Sequence, residues 1–290
     1  MGREGAAVCS TTALLASRPN ERHSSSAPYL DMSTIDISPA ARPIRLPGSS
    51  RQLELRLGAA SAGAPGKPNE DFYAVLVPTD ADGMSRGVML AVGDGVSVSG
   101  AGRATVQATV RSLVGDYYGA PQHWSVGQAL DRLLRAANEW VWAQNARLPV
   151  HDCIVMSVSL IVLRSQRYYL AHVGDTRVYR LRRRLFQQLT TDHTWKRHDM
   201  RHVLRRALGL DSHLVVDFAE GDVESGDIFL MVTDGVWEVL GDTNMNELLA
   251  QGLEPDAAAR ALVDTAQRHQ AAYMGRNDAT AMTLSLEPAT

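Results

Sequence analysis

From Gln52 onward the chain settles into short apolar runs closed by turn residues, which is how strands read. LELRLGAAS alternates, and DFYAVLV, GVMLAVGD, VMSVSLIVLRS, RYYLAHVGD, RVYRL, DIFLMVTDG and TAMTLSLEP each predict a strand. Other stretches repeat at three- and four-residue steps. Between Ser125 and Arg147, Val126, Leu130, Leu133, Leu134, Ala137 and Val141 line one face of a helix; Ser99 to Tyr118 gives a weaker helix, and EPDAAARALVDTAQRH a third. Strands gathered in runs, with helices grouped rather than alternating, predict an α+β fold in which sheet packs on sheet. Residues 1–50, rich in Ser, Ala, Pro and Arg, carry no such periodicity and have no burial to offset ordering. The pattern therefore predicts a disordered tail over residues 1–50, with Met32 a candidate start, before a domain spanning 51–288.

Composition narrows the class. The 290 residues are 45% hydrophobic, enough for a substantial core, and a net charge of −3 does not point to nucleic acid or an anionic membrane as partner. Two cysteines, Cys9 and Cys153, give neither a disulfide framework nor a thiolate metal site. No apolar run reaches the roughly 18 residues that a membrane span needs. A soluble, cytoplasmic, monomeric protein is expected.

Chemistry concentrates in acids set against apolar runs. PNEDFYAV carries Glu70 and Asp71, VMLAVGDGVS carries Asp94 and Gly95, YYLAHVGDTRVYRL carries Asp175, FLMVTDGVWE carries Asp234 and Gly235, and GRNDATAM carries Asp278. A single Asp-Gly after an apolar run is most often a plain turn, but turns alone explain the whole ordered set poorly. An acid at a strand end is rigidly held, and a following glycine lets the backbone approach an ion. Oxygen ligands without His or Cys favour Mg²⁺ or Mn²⁺ over zinc. Carboxylates converging from separate strands suit two ions that clamp a phosphoryl oxygen.

In order and spacing, NEDFYAV, AVGDGVSVSG, HVGDTRVYRL, LTTDH, LRRALG, FLMVTDGVWE and NDAT resemble the metal-dependent protein Ser/Thr phosphatases of the PPM (type 2C) family, bacterial type, over Gln52 to Leu286. The resemblance implies a four-layer αββα sandwich of two antiparallel sheets flanked by helices. It implies Mn²⁺ or Mg²⁺, two ions with a third weaker one, held by Asp94, the Gly95 carbonyl and Asp234. Glu70 and Asp71 stand in or just behind that shell, and Asp175 belongs to the third ion. A metal-bridging water would attack the phosphorus of phosphoserine or phosphothreonine directly. The implied partners are phosphorylated proteins of a cognate Ser/Thr kinase. The competing reading is a pseudophosphatase that binds phosphoproteins or regulates without hydrolysis.

Three departures bear on that implication. The family's Asp-Asn before a small residue and Thr reads Asn277-Asp278-Ala279-Thr280 here. Strict register puts Asn277 on the metal, whereas charge favours Asp278, and charge makes Asp278 the expected ligand with Asn277 in support. The family's phosphate-gripping Arg falls on Gly66, leaving Lys67 as the substrate-binding cation, a point charge without the guanidinium fork. Between LTTDH and LRRALG only Thr194 to Val203 intervene, so almost no flap is expected. The basic run from Arg177 to Arg206 reads as a solvated hairpin face, with acidic phosphopeptide docking as the alternative.

Of the histidines, His172, His193, His198 and His202 invite a general-acid reading, yet His193 in TTDHT is expected to be a structural hydrogen-bonder. Trp124, Trp140 and Trp142 read as packing, and Cys153 as a small core residue.

Overall fold

A computed structural model describes residues 43–46, 53–97, 102–195, 203–272 and 277–289. One sheet has the order β1 (Ile44–Arg45), β2 (Leu53–Ala62), β11 (Ala279–Pro288), β10 (Ile228–Val232), β7 (Arg177–Arg182) and β8 (Leu185–Gln188). The other has the order β3 (Phe72–Leu76), β4 (Val88–Val96), β5 (Val155–Arg164), β6 (Arg167–Val173) and β9 (Asp217–Asp222). Every pairing is antiparallel. Helices α2 (Gly102–Gly119) and α3 (Val126–Asn145) pack with the second sheet, and α4 (Asp234–Leu249) and α5 (Pro255–Ala272) with the first. A short α1 (Ala81–Arg86) links β3 to β4.

This layering explains why the strands read as continuous apolar runs. In β4, Met89 and Ala91 join the core under α2 and α3, while Leu90 and Val92 join the core between the sheets. There they meet Leu55, Leu57, Phe229, Met231, Met282 and Leu284 of the other sheet. A strand buried on both faces has no polar side to alternate with. Where one face meets solvent the signal fades: β9, DFAEGD, alternates half-buried with exposed and was not legible as a strand.

Helix α3 follows the predicted periodicity, started by a capping box in which the Ser125 hydroxyl accepts from the Gln128 amide and the Gln128 side chain accepts from the Ser125 amide. Helix α4 is a correction to the pattern: TDGVWE was expected to end a strand in a turn, but Asp234 opens a helix, interrupted at Gly241. The domain also begins earlier than residue 51. Ile44 pairs with Leu55, Arg45 with Glu54, and Leu46 is buried in the inter-sheet core. Residues 1–42 and 47–50, the rest of the expected tail, lie outside the described residues.

A chain starting at residue 43 is expected to melt with the full-length protein. One starting at residue 53 loses the Leu46 contact, about 2 kcal/mol, and is expected to melt about 4–8 °C lower. Equal melting of the two truncations would show that β1 contributes nothing.

Candidate active site

Four carboxylates are brought within electrostatic reach of one another at one edge of the sandwich. Asp94 lies inside β4, paired across to Ser157 of β5, and not at the strand's end. Asp234 is the first residue of α4, Asp71 immediately precedes β3, and Asp175 follows β6. Asp71, Asp94 and Asp175 are buried, and Asp234 is half-buried.

Burial and mutual repulsion set their protonation. Asp94 is pushed well above the carboxylate range by burial first, then by Asp234, Asp71 and Asp175. Asp234 is raised to about 8, by burial and then by Asp175 and Asp71. Asp71 is raised to about 7 by burial, against the pull of hydroxyls from Thr280 and Thr233. Asp175 is also raised, with burial the largest cause. With both groups raised, the Asp94–Asp234 pair favours a proton at neutral pH over two facing anions.

The supporting bonds come from residues that no motif reading singled out. Asp71 Oδ2 accepts from Thr233 Oγ at 2.8 Å and Thr280 Oγ at 2.7 Å. Thr233 is the N-cap of α4, yet its hydroxyl does not cap the helix; it is diverted to Asp71 and accepts from the Thr280 amide. Ser157 Oγ donates to Asp175 Oδ1 at 2.7 Å and accepts from the Asp175 amide at 3.2 Å. The turn carrying Asp175 needs glycine before it: Gly174 has φ +108°, and a Cβ there would lie 2.2 Å from Ser157 Oγ. Trp237 Nε1 donates to the Asp175 carbonyl at 3.0 Å, and the Arg177 guanidinium sits 3.5 Å from the centre of the Trp237 ring.

Glu70 turns partly away from the cluster. Its Oε1 accepts from Ser97 Oγ at 2.5 Å and from the Gly102 amide at 2.8 Å, which places it at the start of α2. Gly95 is packed against that helix, where a Cβ would lie 2.5 Å from Val106.

Asn277 and Asp278 separate sharply. Asn277 Nδ2 donates to Asp234 Oδ1 at 2.7 Å, and its own amide is held by Gln270 of α5. Both Asp278 oxygens are turned to the β2–β3 loop, Oδ1 accepting from the Ala64 amide at 2.7 Å and Oδ2 from the Glu70 amide at 2.9 Å. Lys67 Nζ lies 3.4 Å from Asp278 Oδ2. Gly235 completes the junction, because a Cβ there would fall 1.9 Å from the Asp278 carbonyl oxygen.

The histidines are occupied. His172 Nδ1 meets Ser159 Oγ and its Nε2 meets the Thr191 carbonyl; burial holds its pKa down at about 4. His193 accepts from the Gly174 amide through Nδ1 and bonds Asp217 through Nε2. Neither ring has a nitrogen left for a leaving group. His198 and His202 lie outside the described residues. Much of the basic run is paired within the domain: Arg177 with Asp192, Arg182 with Asp227 and Glu224, Arg206 with Asp217. Trp140 and Trp142 are partly exposed, and Trp140 borders a cavity of about 390 Å³ between α2 and α3 that none of the four clustered acids lines.

Among the described residues no three acidic, histidine or cysteine side chains are already closed around a point as a coordination shell. Asp71 and Asp175 are instead held by hydroxyls and Asp234 by the Asn277 side-chain amide. The donor set nevertheless fits a hard divalent cation: it is oxygen throughout, buried, and short of positive charge.

The family model described as stage II sporulation protein E (SpoIIE) matches residues 85–287. The serine/threonine phosphatase stp of Listeria monocytogenes is 30% identical over 107 residues, which is 32% of this chain and 42% of that protein. The serine/threonine protein phosphatase PstP of Mycobacterium tuberculosis is 26% identical over 196 residues, 62% of this chain and 37% of that protein. The chain thus spans about two fifths of the length of these curated relatives. The crystal structure of M. tuberculosis PstP/Ppp superposes with a TM-score of 0.67 at 25% identity, covering 80% of this chain and 99% of that one. The PstP catalytic domain in complex with two manganese ions gives a TM-score of 0.66 at 24% identity, over 81% of this chain and 100% of that one. A family model spanning more than half of the chain, on a two-sheet fold shared with a bacterial phosphatase, makes this protein a member of the SpoIIE family, among the bacterial PPM-type phosphatases.

Proposed function

We propose that the protein is a Mn²⁺- or Mg²⁺-dependent serine/threonine phosphoprotein phosphatase. The observation that carries this reading is the cluster of Asp71, Asp94, Asp175 and Asp234, four acids crowded together, three of them buried, with Lys67 at their edge the only cation, among the described residues, that ranks with the main influences on their raised pKa values. Placing uncompensated carboxylates out of water costs several kcal/mol per ion. A fold that keeps them there neutralises them with protons or with a cation, and the serine/threonine phosphatases named above, one of them bound to two manganese ions, support the cation.

In this reading Asp94, the Gly95 carbonyl and Asp234 hold two ions, and Asp175 contributes to a third. Asn277, already against Asp234, is the ligand or support from the segment before the final strand, in place of the Asp278 that charge alone favours; both Asp278 oxygens are committed to backbone amides. Bound there, divalent ions supply Lewis acidity toward the phosphoryl group and activate water as the nucleophile. The chain's own contribution is orientation. Thr233 and Thr280 fix Asp71, Ser157 fixes Asp175, and Gln270 spans Gly235 and Asn277. Lys67 offers a positive charge to a phosphate dianion approaching the acids. Phosphoserine and phosphothreonine proteins are the substrates that the relatives' names support. Retention of all four carboxylates favours hydrolysis over a role in binding alone.

Hydrolysis of p-nitrophenyl phosphate is expected to require added Mn²⁺ or Mg²⁺ and to stop with EDTA. Asp94→Asn is expected to lower kcat at least about 100-fold, beyond what loss of a supporting contact costs, while the protein stays folded by circular dichroism. Full turnover in chelator sinks the proposal.

Protonation adds a second expectation. Asp71 and Asp234 titrate in the fold at about 7 and about 8 against an ordinary 3.8. Their protonated forms favour the folded state, so this contribution is complete below about pH 4 and is lost as pH rises through 7 and 8. The metal-free protein is therefore expected to melt lower at pH 8 than at pH 6, with saturating Mn²⁺ removing most of the difference. A metal-free melting temperature that rises across this interval contradicts the assignment.

A further inference from the structure

The loop from Ala64 to Glu70 joins β2 to β3 and carries Lys67 toward the acids, yet little within it holds its shape. Its internal backbone bond, from the Lys67 amide to the Ala64 carbonyl, is long at 3.5 Å. Gly66 sits at φ +88°, and a Cβ added there would meet nothing within 4 Å, so the crest is open. Pro65 and Pro68 stiffen the chain locally but donate no hydrogen bonds.

The restraint comes from the far end of the sequence. Asp278 takes the Ala64 amide on one oxygen and the Glu70 amide on the other, so both ends of the seven-residue loop converge on a single carboxylate whose side chain is 4% exposed. The Asp278 amide is in turn engaged by Asn277 Oδ1 at 3.0 Å. Two N–H groups aimed at two oxygens require a carboxylate. An asparagine would present its NH₂ to one of the donors and leave a buried amide unsatisfied. At position 277 the demand is reversed, because Asp234 needs a donor and Asn277 supplies one. The order Asn-Asp thus matches what each side faces.

We infer that Asp278 is a positioning residue, a latch whose carboxylate fixes the Ala64–Glu70 loop and so sets the Lys67 ammonium at the edge of the acid cluster as the phosphate contact. The inference rests on the phosphatase reading for Lys67's role. Lys67 is close enough to the cluster to stabilise the charge on Asp71, and its side chain remains 40% exposed, open to a ligand from solvent. The ion pair with Asp278 limits the ammonium's excursions without burying it. Asp71 has its own anchors in Thr233 and Thr280, so loosening the latch acts on phosphate before it acts on metal.

Asp278→Asn, Lys67→Met and the double variant in the full chain test this. The readouts are kcat and KM for Mn²⁺-dependent p-nitrophenyl phosphate hydrolysis, Mn²⁺ affinity by calorimetry, and hydrogen exchange over residues 64–70. Asp278→Asn is expected to raise KM about tenfold, the scale of one charge-assisted hydrogen bond. It should leave kcat and Mn²⁺ affinity within about threefold and speed exchange in the loop. Lys67→Met should raise KM similarly without speeding exchange at Ala64 and Glu70, and the double variant should add no further KM effect. A Mn²⁺ affinity weakened tenfold or more by Asp278→Asn, with KM and loop exchange unchanged, makes Asp278 a metal ligand and overturns the latch. If Asp278→Asn does not fold, Lys67→Met decides: unchanged KM overturns the inference. An absence of Mn²⁺-dependent turnover in the wild type is a failure of the phosphatase reading, and loop exchange together with Mn²⁺ affinity then decides the latch alone.

Discussion

Asp94 and Asp234 are both held above the ordinary carboxylate range, so in the metal-free fold the pair keeps a proton at neutral pH. The constraint behind it is the crowding of four acids, three of them buried, at one edge of the sandwich, with Asp71 and Asp175 adding their repulsion to that of the pair. Neutralisation is obligatory in such a place, because desolvation alone costs several kcal/mol for each carboxylate left charged. Protons, hydroxyls and a divalent cation are interchangeable answers to the same demand. The hydroxyls of Thr233, Thr280 and Ser157 are built in; the protons are those a cation displaces.

The sandwich provides the rigidity that this arrangement needs. Asp94 lies in the middle layer on β4, whose neighbours Leu90, Val92, Met89 and Ala91 are buried on opposite faces. Asp234 rides on the first turn of α4, where the helix dipole favours an anion, although burial and its neighbours outweigh that help. Thr233 joins the two sheets chemically. It pairs with Thr280 by backbone in one sheet and reaches Asp71, at the start of the other, through its hydroxyl. The α4 helix forgoes a side-chain cap for that link, a local cost accepted at a site.

Much of this was legible in the residues. Continuous apolar runs gave most of the strands because the central strands of both sheets are buried on both faces, and the acids stood out because each interrupts such a run. What the pattern missed has physical reasons. The α4 helix opens on Asp-Gly, a pair whose local preference is for turns, and the packing of Val236 and Leu240 against the sheet overrode it. β9 has one face in solvent and no strong signal. Ser157, Thr233, Thr280 and Gln270 support the acids through bonds between elements far apart in sequence, which no local spacing encodes. Charge picked Asp278 over Asn277 for the metal, but the side chain that reaches Asp234 is Asn277, since two loop amides claim both Asp278 oxygens.

Proton release on metal binding tests the central claim most directly. Mn²⁺ titrated into metal-free protein at pH 7 by calorimetry, in buffers of different ionisation enthalpy, counts the protons that leave. Displacement of the protons held by the raised Asp94 and Asp234 predicts a release of at least about one proton per protein, reduced by Asp234→Asn. Mn²⁺ binding with no proton released, or no binding at all, contradicts the account.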